Sequence, residues 1–224
     1  MVELIEILAT PEGLDAFIAT VYYTRMRFIT QLLPLLLAAP SPAHIISVYA
    51  GTFEDGTGPG EFPIGCPPDK IYSLNTVRKH SIFMKTLLFE EFAERHAGKL
   101  SLTDIYPGLV DGPGFASPDM PQWFRIVWRL LKPLLRFGMV PADDCGDVMV
   151  YLATGRFPAR GAGEGARGSK GEVGGGAYSV GRYADEQKGI MYEKVREEGM
   201  GQRVWEHTME VLEKAKAKVA PSAS

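Results

Sequence analysis

The chain has 224 residues, 46% of them hydrophobic, which is enough to bury one substantial core but cramped for two full domains. Its 24 basic and 27 acidic side chains nearly cancel to a net charge of −3, so no overall field draws it toward nucleic acid or an acidic polymer. Cys66 and Cys145 lack CxxC spacing and a neighbouring His, and the four histidines are scattered, so the sequence offers no nucleus for a metal site or a Ser/His/Asp triad.

Met1 to Leu8 carries Glu3 and Glu6 where a signal peptide would be basic, and it lacks a small-residue cleavage site; the expected location is cytoplasmic. From Leu14 to Ala38 apolar residues recur at three- and four-residue steps, predicting a long, mostly buried helix that Pro34 should kink or end. The longest apolar run, Leu32 to Ala39, falls well short of the roughly 20 residues that span a bilayer. Ala43 to Tyr49 is a short β-branched run of the kind found in buried parallel strands, followed by a Gly- and Pro-rich loop over 51–70.

A second helix is predicted from Ser73 to His96, with Val77, Ile82, Leu87, Leu88 and Phe92 inward, Glu90, Glu91, Glu94 and Arg95 outward, and Gly98 closing it. Leu100 to Tyr106 reads as a strand that enters a loop at Pro107-Gly108. Helices follow over Pro121 to Phe137 and Ala142 to Thr154, then a strand over Gly176 to Tyr183 and a charged terminal helix over Met191 to Val219. Residues 155–176, dominated by Gly and charged side chains, read as a mobile surface loop. Strands alternating with long helices imply right-handed crossovers and a three-layer, doubly wound parallel sheet, here expected to be incomplete at its N-terminal side.

Taken together, YYTRMRFITQLLPLL, the strand IISVYAGT, the helix SIFMKTLLFEEFAERHAG and the strand plus loop LSLTDIYPGLVDGPGF look like the later part of a short-chain dehydrogenase/reductase. The match covers roughly Ala9 to Thr154, and the wording is similar to a divergent group of these proteins in filamentous fungi. The resemblance implies a Rossmann-like fold and hydride transfer between NADP or NAD and a carbonyl or hydroxyl of a hydrophobic small molecule, in secondary metabolism. It also implies that the family's opening strand, glycine-rich turn and helix, which hold the cofactor pyrophosphate, have no counterpart in this sequence, and that Val2 to Ala9 is a candidate remnant or replacement of the family's fourth strand.

The family's chemistry rests on an Asn before LP, a Ser after the next strand, and a Tyr four residues before a Lys. Here the Asn position falls near Val21 and the Ser position on Ala50, with Thr52 the nearest hydroxyl. The Tyr and Lys positions fall on Arg78 and Ile82; a shifted register pairs Ser81 with Lys85. That SxxxK spacing also occurs in Ser/Lys hydrolases, although on a helix surface it arises by coincidence. Tyr72, Ser81 and Lys85 are the candidate catalytic residues, and Pro107 and Gly108 the candidate cofactor contacts. Gly161 to Ala166 fits GxGxxA as a string but lacks the strand-turn-helix setting that gives it meaning.

Residues 122–137 place Arg125, Arg129, Lys132 and Arg136 on one helical stripe and Trp123, Ile126, Val127, Leu130, Leu134 and Phe137 on the other side. By resemblance this helix is a substrate lid, with Trp123, Phe124, Val127 and Leu130 facing a greasy substrate. A weak contact with an anionic membrane is the alternative use of the same pattern. The leading expectation is an oxidoreductase-like single domain with a hydrophobic substrate. The alternatives are a non-catalytic pseudo-enzyme binding a ligand or a partner, including a second copy, through a free sheet edge, and a cofactor-free cyclase or isomerase.

Overall fold

The computed structural model describes residues 9–54, 64–118, 120–187, 189–190 and 192–219. The strand expected at Val2 to Ala9, apart from Ala9, and part of the 51–70 loop lie outside the described residues. Chain order begins with α1 (Ala16–Ile18), a π-helical turn (Ala19–Tyr23) and α2 (Thr24–Ala38), which together form one helical run. The Asp15 carboxylate starts it by accepting the amides of Phe17 and Ile18 at 3.1 and 2.9 Å. Pro34 does not end the run, which continues to Ala38. Then come β1 (Ala43–Val48), α3 (Leu74–Arg95), β2 (Leu100–Ile105) and β3 (Val110–Asp111). The remainder is α4 (Gln122–Leu135), β4 (Val140–Pro141), α5 (Ala142–Leu152), β5 (Ala177–Val180), α6 (Glu193–Glu197) and α7 (Met200–Val219).

The main sheet has the order β1-β2-β5 with both pairings parallel, and a two-residue parallel ladder joins β3 to β4. The architecture is the expected α/β class: a Rossmann-like parallel sheet between helices. Because side chains alternate along a strand, Ala43, Ile45, Leu100, Leu102 and Ala177 point to one face, where α2, α3 and α7 bury the larger core around Phe83, Leu87, Leu88 and Phe92. Ile46, Ile105, Tyr178 and Val180 point to the other, where Val148, Met149 and Leu152 of α5 meet them.

Three sequence expectations need correction. Glu90 faces inward, because α6 covers it: Arg196 grips its carboxylate at 2.8 and 2.9 Å and Ser169 donates to it at 2.7 Å. The terminal helix is two helices, since Gly199 takes the left-handed conformation (φ 71°) between α6 and α7. Residues 155–176 are irregular but not peripheral. Phe157, Ala159, Ala166 and Ser169 are buried, and Phe157 belongs to the smaller core.

The chain leaving β1 turns at once across the C-terminal ends of β2 and β5. A Cβ on Gly51 would stand 2.3 Å from the Asp104 carbonyl oxygen and 2.6 Å from that of Val180, both rigid backbone. Gly51→Ala should therefore force the strand ends apart and destabilise the fold by roughly 3 kcal/mol, read as a lower urea midpoint with an unchanged slope; an unchanged midpoint contradicts this packing.

Candidate functional site

Each strand of the main sheet presents, toward α3, apolar residues followed by a polar one near its C-terminal end: Ser47 on β1, Asp104 on β2 and Ser179 on β5. The registers pair Ser47 with Asp104 and Asp104 with Ser179, so the three form one polar row across the sheet. In open parallel sheets this C-terminal edge is where ligands bind.

Lys85 of α3 reaches into this row. Its side chain is fully buried; Nζ donates to Asp104 Oδ1 at 3.1 Å and to Ser47 Oγ at 3.2 Å, and lies 4.1 Å from the centre of the Tyr49 ring. Arg25 of α2 closes the group from the β1 side, donating to Ser47 Oγ at 3.2 Å and to the Val48 carbonyl at 2.8 Å, with its guanidinium 5.4 Å from the same ring. Burial pulls the Lys85 pKa down to about 8, against the pull of Asp104 that favours the cation. Burial raises the Asp104 carboxyl above its ordinary range, offset in part by Lys85 and Arg25.

The turn after β1 is tightly held. Thr52 sits at φ 74°, a costly conformation for a β-branched residue, and its amide donates to Ser179 Oγ at 2.8 Å. Ser179 in turn donates to the buried Glu54 carboxylate, and Tyr192 donates to the Glu54 carbonyl at 2.7 Å. Phe53 packs edge-on against Tyr106 with Arg78 over its face, and with Val48 it gives the group an exposed apolar rim.

Ser81 and Lys85 lie one turn apart on α3, both with no exposure, so this spacing is interior rather than a surface coincidence. Tyr72 is held elsewhere: its hydroxyl donates to Asp15 at 2.8 Å, and burial with the Asp15 charge pushes its pKa up to about 12. Pro107 and Gly108 follow β2 directly, Gly108 at φ 76° with Arg182 and Val140 side chains 3.3 Å from where a Cβ would be. Along α4, Phe124 packs with Phe115 and Trp128, whereas Trp123, Val127 and Leu130 stand exposed. Sequence reasoning missed Ser47, Tyr49, Asp104 and Arg25; the signal was a polar residue breaking three apolar strands near the same end.

The ammonium and carboxylate hold each other in a buried site. Lys85→Met alone should leave a buried carboxylate uncompensated and cost about 3–5 kcal/mol, whereas Lys85→Met with Asp104→Leu should recover most of it. Urea unfolding of both variants checks this, and equal losses would show that the pair is not coupled.

No protein-family profile matches the chain. It is 54% identical over 214 residues, 91% of its length, to the short-chain dehydrogenase/reductase SAT2 of Stachybotrys chartarum, covering 60% of that protein. It is 34% identical over 92% of its length to the oxidoreductase AN1596 of Emericella nidulans, covering 64% of it. The oxidoreductase andH of Emericella variicolor is 29% identical over 95% of the chain, with 65% of that protein covered. The chain thus spans about 60 to 65% of the length of the curated relatives it matches. With its parallel sheet and helical layers, the chain is similar over most of its length to fungal proteins named as a short-chain dehydrogenase/reductase and as oxidoreductases.

Proposed function

We propose that the chain handles the carbonyl end of an oxidoreductase reaction in which a nicotinamide cofactor, NADP or NAD, exchanges hydride with a carbonyl or hydroxyl of a hydrophobic natural product of fungal secondary metabolism. The observation that carries this is Lys85, a buried cation anchored by Asp104 and Ser47 at the C-terminal edge of a parallel sheet. The likeness to a short-chain dehydrogenase/reductase supports the cofactor class, nicotinamide in general. A phenol and a cation at one strand end suit the reacting end of such a cofactor, which would supply or accept hydride, and Pro107-Gly108 lies at the end of the adjoining strand. Gly161 to Ala166 does not suit its phosphates, since Gly165 is packed with its Cβ position 2.3 Å from Pro158 and the stretch has no strand-turn-helix geometry.

In this reading Trp123, Val127 and Leu130 offer their exposed apolar surface to the substrate, and Phe124, packed on Phe115 and Trp128, fixes the helix that carries them. The chain acts as one domain. A second reading, weak contact with an anionic membrane, is favoured by the same face: Arg125, Arg129 and Arg136 border exposed Ile126, Leu134 and Phe137. Lys132 is instead paired with Asp111 at 2.7 Å. Among the described residues no helix is long and apolar enough to cross a membrane.

Titrating the purified chain with NADPH and NADH, followed by heat, should give saturable binding that Lys85→Arg weakens about tenfold; no heat at millimolar cofactor would contradict the nicotinamide reading. Sedimentation with phosphatidylserine vesicles at low salt should pellet the chain, with Arg125→Glu and Arg129→Glu together abolishing it. A chain that stays in the supernatant removes the membrane reading.

A further inference from the structure

The helical layer on the α3 side of the sheet encloses a cavity that the sheet-edge site does not use. It lies between the first helical run and α7 and has a volume of about 610 Å³. Leu14, Ala19, Tyr23 and Phe28 form one wall, and Leu212 and Ala215 of α7 form the other. None of Lys85, Ser47, Asp104, Tyr49 and Arg25 lines it. Small-molecule sites have volumes of roughly 300 to 1,000 Å³ and are mostly apolar, with a few polar groups that fix orientation.

The hollow is built into the way the two walls are joined. The first helical run takes a π-helical turn over Ala19–Tyr23, with the Thr24 amide reaching back to the Ala19 carbonyl, and the residues at both ends of that turn line the cavity. Such turns are rare and concentrate at functional sites. Tyr22 and Tyr23 then fix the turn to α7 through hydrogen bonds with Thr208 at 2.7 Å and His207 at 2.8 Å. With its hydroxyl so engaged, Tyr23 offers the cavity its ring. Phe28 is 62% exposed, an apolar ring left in water that a hydrophobic ligand would cover.

The charges around the cavity cancel. Arg27 and Lys216 line it, and Glu213 of α7 stands 3.9 Å from the one and 4.0 Å from the other. Glu12 also lines it, and Lys218, which does not, donates to the Glu12 carbonyl at 2.8 Å. Two lining cations against two carboxylates leave little net charge to draw in an ion. Thr24 and Gln31 add uncharged hydrogen-bonding groups.

We propose that the cavity between the π-helical turn and α7 is a small-molecule site separate from the sheet edge, and that it takes an uncharged hydrophobic ligand carrying a hydroxyl or carbonyl for Thr24 or Gln31 to bond. The site stands whether or not the chain binds a nicotinamide.

N-phenyl-1-naphthylamine, an uncharged dye that fluoresces in apolar surroundings, should bind the purified chain saturably. Ala215→Trp, which fills the cavity from α7, should weaken that binding at least about tenfold with a urea midpoint close to wild type, and Phe28→Asp, at an exposed position, should do the same. If Ala215→Trp does not fold, Phe28→Asp carries the test. Leu130→Asp, which interrupts the exposed apolar side of α4, should leave the affinity within about twofold. Absence of saturable binding, binding that survives the cavity substitutions, or binding that Leu130→Asp abolishes overturns the assignment. Displacement of the dye tests the ligand class: 1-decanol should compete better than decanoate or decylammonium, and a charged competitor that does better overturns the uncharged class.

Discussion

An ammonium group buried without water loses its hydration and must recover it from the protein, or give up its proton. Lys85 recovers it from Asp104 and Ser47, and this requirement orders its surroundings. Asp104 must stand at the end of β2, Ser47 must pair with it in register on β1, and α3 must run along the sheet so that its side chain drops onto those two residues. The turn after β1 must clear the strand ends, which only glycine at position 51 allows. A structural salt bridge could have been replaced by apolar packing at little loss, since the desolvation of buried charges consumes much of their attraction. The charge retained here is what the proposed role of Lys85 rests on.

Much of the fold was legible in the sequence because it depends on local patterns. The run AHIISVY between turn signals, the periodic stretch from Ser73 to His96 and the strand before Pro107-Gly108 each fall within a residue or two of the observed elements. What escaped depends on distant partners. Glu90 looks like a surface residue until Arg196, over a hundred positions later, covers it. Phe157 and Ala166 lie in a stretch whose glycines and charges read as solvent-exposed, yet they fill the space beside Tyr178 and Val180. The two-residue ladder of β3 and β4 is too short to leave a periodic signal.

The site was less legible for a related reason. The family pattern directed attention to a tyrosine on the helix, four residues before lysine, and Tyr72 was the nearest phenol; it is bonded to Asp15 instead. The helix carries Ser81 at that spacing, and the phenol near Lys85, Tyr49, stands just after β1. Neither arrangement follows from spacing along a single element, because the row Ser47–Asp104–Ser179 exists only once the registers are fixed. The apolar side of α4 poses the complementary case: its sequence pattern was plain, and the structure leaves most of it uncovered among the described residues.

The central claim is that Lys85 is a desolvated cation held at the strand ends by a carboxylate, tuned within reach of neutral pH. Its most direct test is the titration of the Lys85 side-chain nitrogen by NMR, identified through Lys85→Arg. The account predicts a pKa near 8, well below the ordinary lysine value of 10.5. A value at or above 10.5 would show that the pull of Asp104 outweighs desolvation, and would contradict a cation tuned toward neutral pH.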